Sequence, residues 1–259
     1  GRIISVGAAA TPPSDALVLD LGGKTVFAGF IDDDSTYAQP AEAATPANAP
    51  PAVAQPYTPA PQQGSRHWNN KVRPERDLAQ QLQPDPKKAE ALRKLGFTSV
   101  LSAPDKGIFR GQSALVTLGD STRLNDVLLK PRVAQHVAFE FSRYPAAEYP
   151  ASLMGSIALI RQTWYDAGWQ RDYQNWAAKN AGGQRAQVNL ALDALQDSLA
   201  ARQPVVFAAG DELDYARVLA VASEFRLKLV IEGNGREYRD LERIKSAGVP
   251  VIAPLPLVE

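Results

Sequence analysis

Residues 24–38, KTVFAGFIDDDSTYA, decide how the rest of the chain is read. An apolar run from Val26 to Ile31 passes without a break into Asp32, Asp33 and Asp34. The run predicts a buried strand over 26–32, with the three carboxylates at its wet end. Such an end is a metal site, a metal site that has lost its ligands, or a solvated strand terminus. The rest of the chain has to decide between them.

The chain has 259 residues, 45% hydrophobic and 22% charged, which is enough to bury a sizeable core in one large α/β domain or two smaller ones. Lys plus Arg and Asp plus Glu both count 28. The balance leaves no basic field to draw nucleic acid or anionic lipid. No apolar run approaches the length of a membrane span, and no signal peptide is visible. Cysteine is absent, which removes disulfides, thiol nucleophiles and thiolate metal sites from consideration. The chain opens at Gly1 inside what reads as a strand and stops abruptly at Glu259, so both ends read as cuts.

Outward from the opening stretch, residues 1–32 read as short strands, RIISVG, ALVLDL and TVFAGFI, punctuated by Pro12-Pro13 and Gly22-Gly23. Residues 38–64 then carry seven prolines among many alanines. Proline removes donors and fixes φ, so this segment is expected to be an extended loop without regular structure. From Pro86 the pattern turns α/β. A helix over DPKKAEALRKLGF stops at Gly96, strands follow in TSVLSAP, SALVTLGD and RVAQHVAFEF, and residues 150–177 form a long helix. A further helix is expected over QVNLALDALQDSLAA. The last fifty residues alternate strand (204–209), helix (211–225), strand (227–233), a helix stopped by Gly248, and strand (249–253). Unbroken apolar strands separated by helices predict parallel βαβ units buried on both faces. No GxGxxG opens any of the helices, which argues against a dinucleotide fold.

The phrase GRIISVG…LVLDLGGKTVFAGFIDDDS resembles the opening of the amidohydrolase superfamily, in its imidazolonepropionase-like branch. There a small β domain leads into barrel strand one through G-K-T-V-L-P-G-L-I-D-A-H-T-H. Gly23 to Asp32 match it, with Ala28 in place of the usual Pro. The tail PVVFAAGDELD…LVIEGNGREY…GVPVIAP looks like the later barrel strands. RHWNNKVRPE, FTSVLSAPDKGIFRGQSALVTLGD and YPASLMGSIALIRQTWYDAGW look like the first half of long secreted bacterial proteins that carry two amidohydrolase-like halves in tandem. The resemblance implies a distorted (β/α)8 barrel with a small N-terminal β domain. Residues 1–24 would be the appendage and 25–259 the barrel segment, interrupted by the Pro/Ala-rich loop. The barrel would be incomplete: seven strand candidates lie at 26–32, 98–104, 114–119, 133–141, 204–209, 227–233 and 249–253, where closure needs eight. It also implies a periplasmic or secreted location, and as partners the C-terminal half of the same parent and a small-molecule amide.

The family hydrolyses non-peptide C–N bonds, often in cyclic amides, with zinc or another divalent metal that lowers the pKa of bound water. Its first ligands are His-x-His at the end of strand one, where alternate residues share a face. Those positions hold Asp34 and Thr36 here, and the strand-five histidine falls near Ala208. The strand-six region offers Glu232 and Asn234. Asp32, Asp34, Thr36, Glu232 and Asn234 are therefore the candidates for the barrel mouth, with no catalytic residue and no cofactor assigned to this chain. A weaker oxygen site for Mg2+ or Ca2+ would use Asp32, Asp34 and Glu232. The two histidines, His67 and His136, read as satisfied structural residues, and the glycines flanking Arg110 as a turn or an anion cradle. Trp164, Trp169, Tyr173 and Trp176 share one helix, as a core stripe or as an interface with a second half. Three functions stay open: a degenerate structural or regulatory half, a hydrolase whose metal is held by sequence outside this chain, and a binding module using the barrel mouth.

Overall fold

The computed structural model describes residues 5–7, 11–40, 65–142, 149–180 and 188–254. The expectation for the Pro/Ala-rich segment falls outside these from residue 41 onward. Strand β1 runs Phe30–Ser35, later than the expected 26–32. The three aspartates thus sit inside the strand rather than beyond its end. Residues 16–29 form no strand. Helix α1 (Pro86–Lys94) begins as its sequence requires: Pro86 sits in the first turn, and the Asp85 carboxylate accepts from the Lys87 and Lys88 amides. It ends before Gly96 at φ +95°.

Strands β2 (Phe97–Ser102), β3 (Phe109–Gln112), β4 (Ala114–Thr117), β5 (Leu128–Lys130) and β6 (Gln135–Ala138) follow, with the short α2 (Leu124–Val127) leading into β5. Helix α3 (Leu153–Lys179) is capped by Ser152, whose hydroxyl accepts from Gly155 N. The helix expected next divides into α4 (Leu190–Ala194) and α5 (Gln196–Leu199). The tail gives β7 (Val205–Ala208), α6 (Glu212–Phe225), β8 (Leu229–Glu232), α7 (Leu241–Ala247) and β9 (Val251–Ile252). Gly248 closes α7 in the left-handed region, as expected.

The strands form two sheets. One has the order β1-β2-β4-β5, the other β3-β6-β7-β8-β9. The parallel ladder β7-β8-β9 bears out the βαβ reading of the tail, and β6 adds a further parallel strand beside β7. Among the described residues no barrel closes, and the strands expected to line an incomplete (β/α)8 barrel divide instead into two mixed sheets. β4 is antiparallel to both of its neighbours, β2 and β5. β3, read from sequence as a turn around Arg110, is an antiparallel strand of the second sheet, paired with β6.

Each sheet has its own core. Phe109, Val137, Val205, Phe207, Leu229 and Ile231 pack against Leu159, Ile160 and Trp164 of α3 and Tyr215, Val218 and Val221 of α6. Phe109 meets Trp164 edge-on, with ring centroids 5.4 Å apart. Around the other sheet, Val100, Ala114, Val116 and Leu118 pack with Leu78, Leu82, Ala89 and Tyr37. The aromatic residues of α3 do not form one stripe. Trp164 is buried, while Trp169, Tyr173 and Trp176 stack on one another along the outer surface, where Trp169 and Trp176 are exposed.

Candidate functional site

The parallel register sets Ala138, Ala208 and Glu232 side by side at the C-terminal ends of β6, β7 and β8. Alternation along β8 buries Leu229 and Ile231 in the core and leaves Glu232 for the opposite face. Arg110 of β3 meets it there: its Nη1 lies 3.7 Å from the Glu232 carboxylate, with side chains only 16% and 22% exposed. Asp34 of β1 lies within electrostatic reach of both. One guanidinium and two carboxylates, drawn from three strands and both sheets, therefore make up the mouth.

Burial pushes the Glu232 carboxyl above its ordinary value; Asp34 adds to the rise and Arg110 opposes it. The Asp34 carboxyl is also raised, first by the surrounding protein and then by Asp32, Asp33 and Asp105, against the pull of Arg110. Asp34 stays open to solvent along β1, so Glu232 is the more strongly constrained of the two acids.

The other expected residues do not join them. Asp32 uses Oδ1 locally, accepting from the Asp34 amide at 3.3 Å. Thr36 is exposed just past β1, and its carbonyl accepts from Gln39 N. Ala208 has the right register and no donor atom. Asn234 belongs to the loop after β8, where its Oδ1 accepts from Arg236 N and its buried Nδ2 has no partner. Among the described residues, no three His, Cys, Asp or Glu side chains converge to hold a metal ion. The set Asp32, Asp34 and Glu232 is thus not brought together.

The chemistry of the donors points the same way. A divalent metal at the ligand positions of the family the sequence resembles would be met here by Asp34, Thr36, Ala208 and Glu232. This set contains no imidazole, includes an alanine, and already faces a guanidinium. These residues do not fit the family's metal.

The histidines divide. His67 is structural: it is buried, Nδ1 accepts from Asn69 N at 3.0 Å, and burial lowers its pKa to about 4. His136, in the middle of β6, is 2% exposed, and burial and then the nearby Arg110 lower its pKa to about 3. It is not a satisfied residue as expected, since neither ring nitrogen has a hydrogen-bond partner. It stands in register with Gly111 of β3 and Val206 of β7, neither of which offers a polar side chain.

Sequence reasoning missed two features of the site. Arg110 was visible as the single charge in IFRGQSALV, where strand alternation could have aimed it at the mouth. Glu237 left a fainter signal. Its Oε1 accepts from the amides of Asn234 and Gly235 and from the Tyr215 hydroxyl at 2.8 Å. Burial alone would raise the Glu237 carboxyl, but these hydrogen bonds hold it below the usual range, while burial and Glu237 push the Tyr215 phenol up. This network pins the loop after β8 to α6.

No family model matches the chain, and no curated protein matches it. A solved structure does. The crystal structure of an amidohydrolase from Thermotoga maritima superposes with a TM-score of 0.76 at 23% sequence identity, covering 98% of this chain. The likeness shows the fold. The chain spans 63% of that protein's length.

Proposed function

We propose that this chain is the amidohydrolase-like half of a longer protein that hydrolyses non-peptide C–N bonds, such as those of cyclic amides, and that this half is structural or regulatory rather than catalytic. The observation that carries the reading is the mouth itself. Register places Ala208 and Glu232 at the strand ends, yet the donors there are two carboxylates already facing Arg110. The fold likeness to an amidohydrolase supports the reaction class. The partner is the remainder of the parent, which would cover the apolar residues exposed on both sides of Gly22-Gly23 and the open edge of β1. A periplasmic or secreted location belongs to the same reading.

The test compares the 259-residue chain with one extended past Glu259, each assayed on a panel of lactams and cyclic imides with and without added Zn2+ or Mn2+. The short chain is expected to be inactive throughout, and the extended chain to hydrolyse at least one substrate class and to melt higher. Hydrolysis by the short chain that disappears in Glu232→Gln would overturn the reading, as would an extension that brings neither activity nor stability.

A further inference from the structure

We infer that the Arg110 guanidinium is a built-in cation that takes the place of a metal ion at the mouth, and that it is what keeps the mouth closed to divalent cations. The inference concerns the charge balance of this site. It holds whether or not the parent protein is a hydrolase.

Three observations carry it. First, Arg110 reaches the mouth from β3, a strand of the second sheet, and its Nη1 stands 3.7 Å from Glu232 Oε2. Both side chains are mostly removed from water, so neither is a loosely held surface charge. Second, among the described residues Asp34 is the other acid that bears on Glu232, and Arg110 opposes the rise of both carboxyls. The charge of the guanidinium, in contact distance of Glu232, therefore bears on both carboxylates. Third, the position is fixed by backbone rather than chosen by a flexible stem. Gly111, at φ +113°, lets β3 run so close to residues 73–76 that a Cβ there would lie 2.5 Å from the Arg76 carbonyl oxygen. The Gln112 amide donates to that same oxygen at 2.7 Å. The Arg110 Nε has no hydrogen-bond partner, so the head is held by charge and by the path of β3.

The physical consequence is simple. Two carboxylates with one guanidinium carry a net charge of −1. A divalent ion entering would have to displace or face a fixed positive charge in a site of reduced dielectric, where like-charge repulsion is poorly screened. Without the guanidinium the same two carboxylates would repel each other and would offer oxygen ligands of the kind hard cations take. Removing Arg110 should therefore create a weak divalent-cation site at this mouth.

The experiment uses the full 259-residue chain and its Arg110→Met variant, with Ca2+ and Mn2+ as probes. Melting curves are recorded from 0 to 10 mM Ca2+, and bound Mn2+ is counted by electron paramagnetic resonance. The native chain is expected to show no Ca2+-dependent shift and no stoichiometric Mn2+. Arg110→Met is expected to melt about 2–4 °C higher in 10 mM Ca2+, as a site of millimolar affinity would give. That shift should vanish in Arg110→Met/Glu232→Gln and be absent from Arg110→Lys. Should Arg110→Met not fold by itself, recovery of folding with added Ca2+ or in the Glu232→Gln double variant supports the inference, and failure of both overturns it. One equivalent of Mn2+ on the native chain that is lost in Asp34→Asn would also overturn it, as would a folded Arg110→Met variant indifferent to Ca2+. None of these readouts depends on hydrolysis, so their failure is distinct from failure of the proposed function.

Discussion

Replacing His136 with Val should make the protein less sensitive to acid while leaving it as stable at neutral pH. The imidazole is 2% exposed, neither nitrogen is bonded, and its pKa is lowered to about 3 by burial and Arg110. In the unfolded chain the same group titrates near 6.5. As pH falls below 6.5 the unfolded state takes up a proton that the native state refuses, and stability drops by about 1.4 kcal/mol per pH unit until about pH 3. At pH 5 the loss is about 2 kcal/mol; above 6.5 there is none. His67, with its pKa lowered to about 4, adds a loss of the same sign and similar size at pH 5. Asp34 and Glu232, raised in the fold, act the other way, because their native forms gain protons first as pH falls. Their contribution is common to both proteins and cancels in the comparison. Urea unfolding of the native chain and His136→Val at pH 7.5, 6 and 5 reads the effect directly. The stability lost between pH 7.5 and 5 should be about 2 kcal/mol smaller in the variant. At pH 7.5 the variant should match or exceed the native chain, since removing two unpartnered polar atoms offsets the slightly smaller volume. An unchanged acid slope, or a neutral-pH loss above about 2 kcal/mol, would show that the imidazole is partnered and would refute the reasoning.

Gly111→Ala should destabilise the fold by about 2 kcal/mol or more, because the residue holds φ +113° and its new methyl would meet the Arg76 carbonyl at 2.5 Å; a loss below about 0.5 kcal/mol in denaturant titration would mean that β3 can move away from residues 73–76. Asp211→Ala should lower stability by about 1 kcal/mol, since its carboxylate accepts from the Leu213 and Asp214 amides at the start of α6. Asp211→Asn keeps an acceptor and should recover most of that loss in the same titration, so equal losses in the two variants would count against a capping role.

The parts of the fold legible in sequence were those whose signals are local. Asp85-Pro86, Asp211 and Gly248 announce helix ends through their own backbone chemistry, and all three act where expected. The parallel β7-β8-β9 ladder was legible because its strands are apolar runs separated by helices, whereas β6, with Gln135 and His136, carries no such signal. What failed depends on partners distant in sequence. The apolar run at 26–31 looks like a buried strand, but Val26, Phe27, Phe30 and Ile31 are exposed and pairing begins only at Phe30. β4 reads as one more barrel strand, and nothing within ALVT says that it will pair antiparallel with β2. Of the mouth candidates, Asp34 and Glu232 come within electrostatic reach of each other although they belong to different sheets and Asp34 falls where the β1–β2 register shifts; Asp32 and Asn234 turn to their own backbone neighbours, as short polar side chains do. Arg110 was passed over because flanking glycines suggested a turn, whereas Gly111 serves to bring β3 close to residues 73–76.

The exposed N-terminal arm connects the fold to the proposed function. Val6, Leu17, Val18, Leu19, Val26, Phe27, Phe30 and Ile31 lie between 62% and 86% exposed along one stretch of chain. Eight such side chains, if covered, would contribute on the order of 10 kcal/mol at the usual coefficient for apolar burial, as much as a whole domain's net stability. Scattered apolar residues on a surface need no account, but a run of this size beside an unpaired strand edge does. Whatever covers it has two tasks: to present an apolar face to residues 17–31, and to offer backbone donors and acceptors to β1, whose far side pairs with nothing among the described residues. A strand-bearing segment meets both demands, and a small ligand meets neither. Because β1 carries Asp34, a segment docked on its edge also lies beside the mouth. The same contact that stabilises the fold would then determine which further side chains reach Arg110 and Glu232.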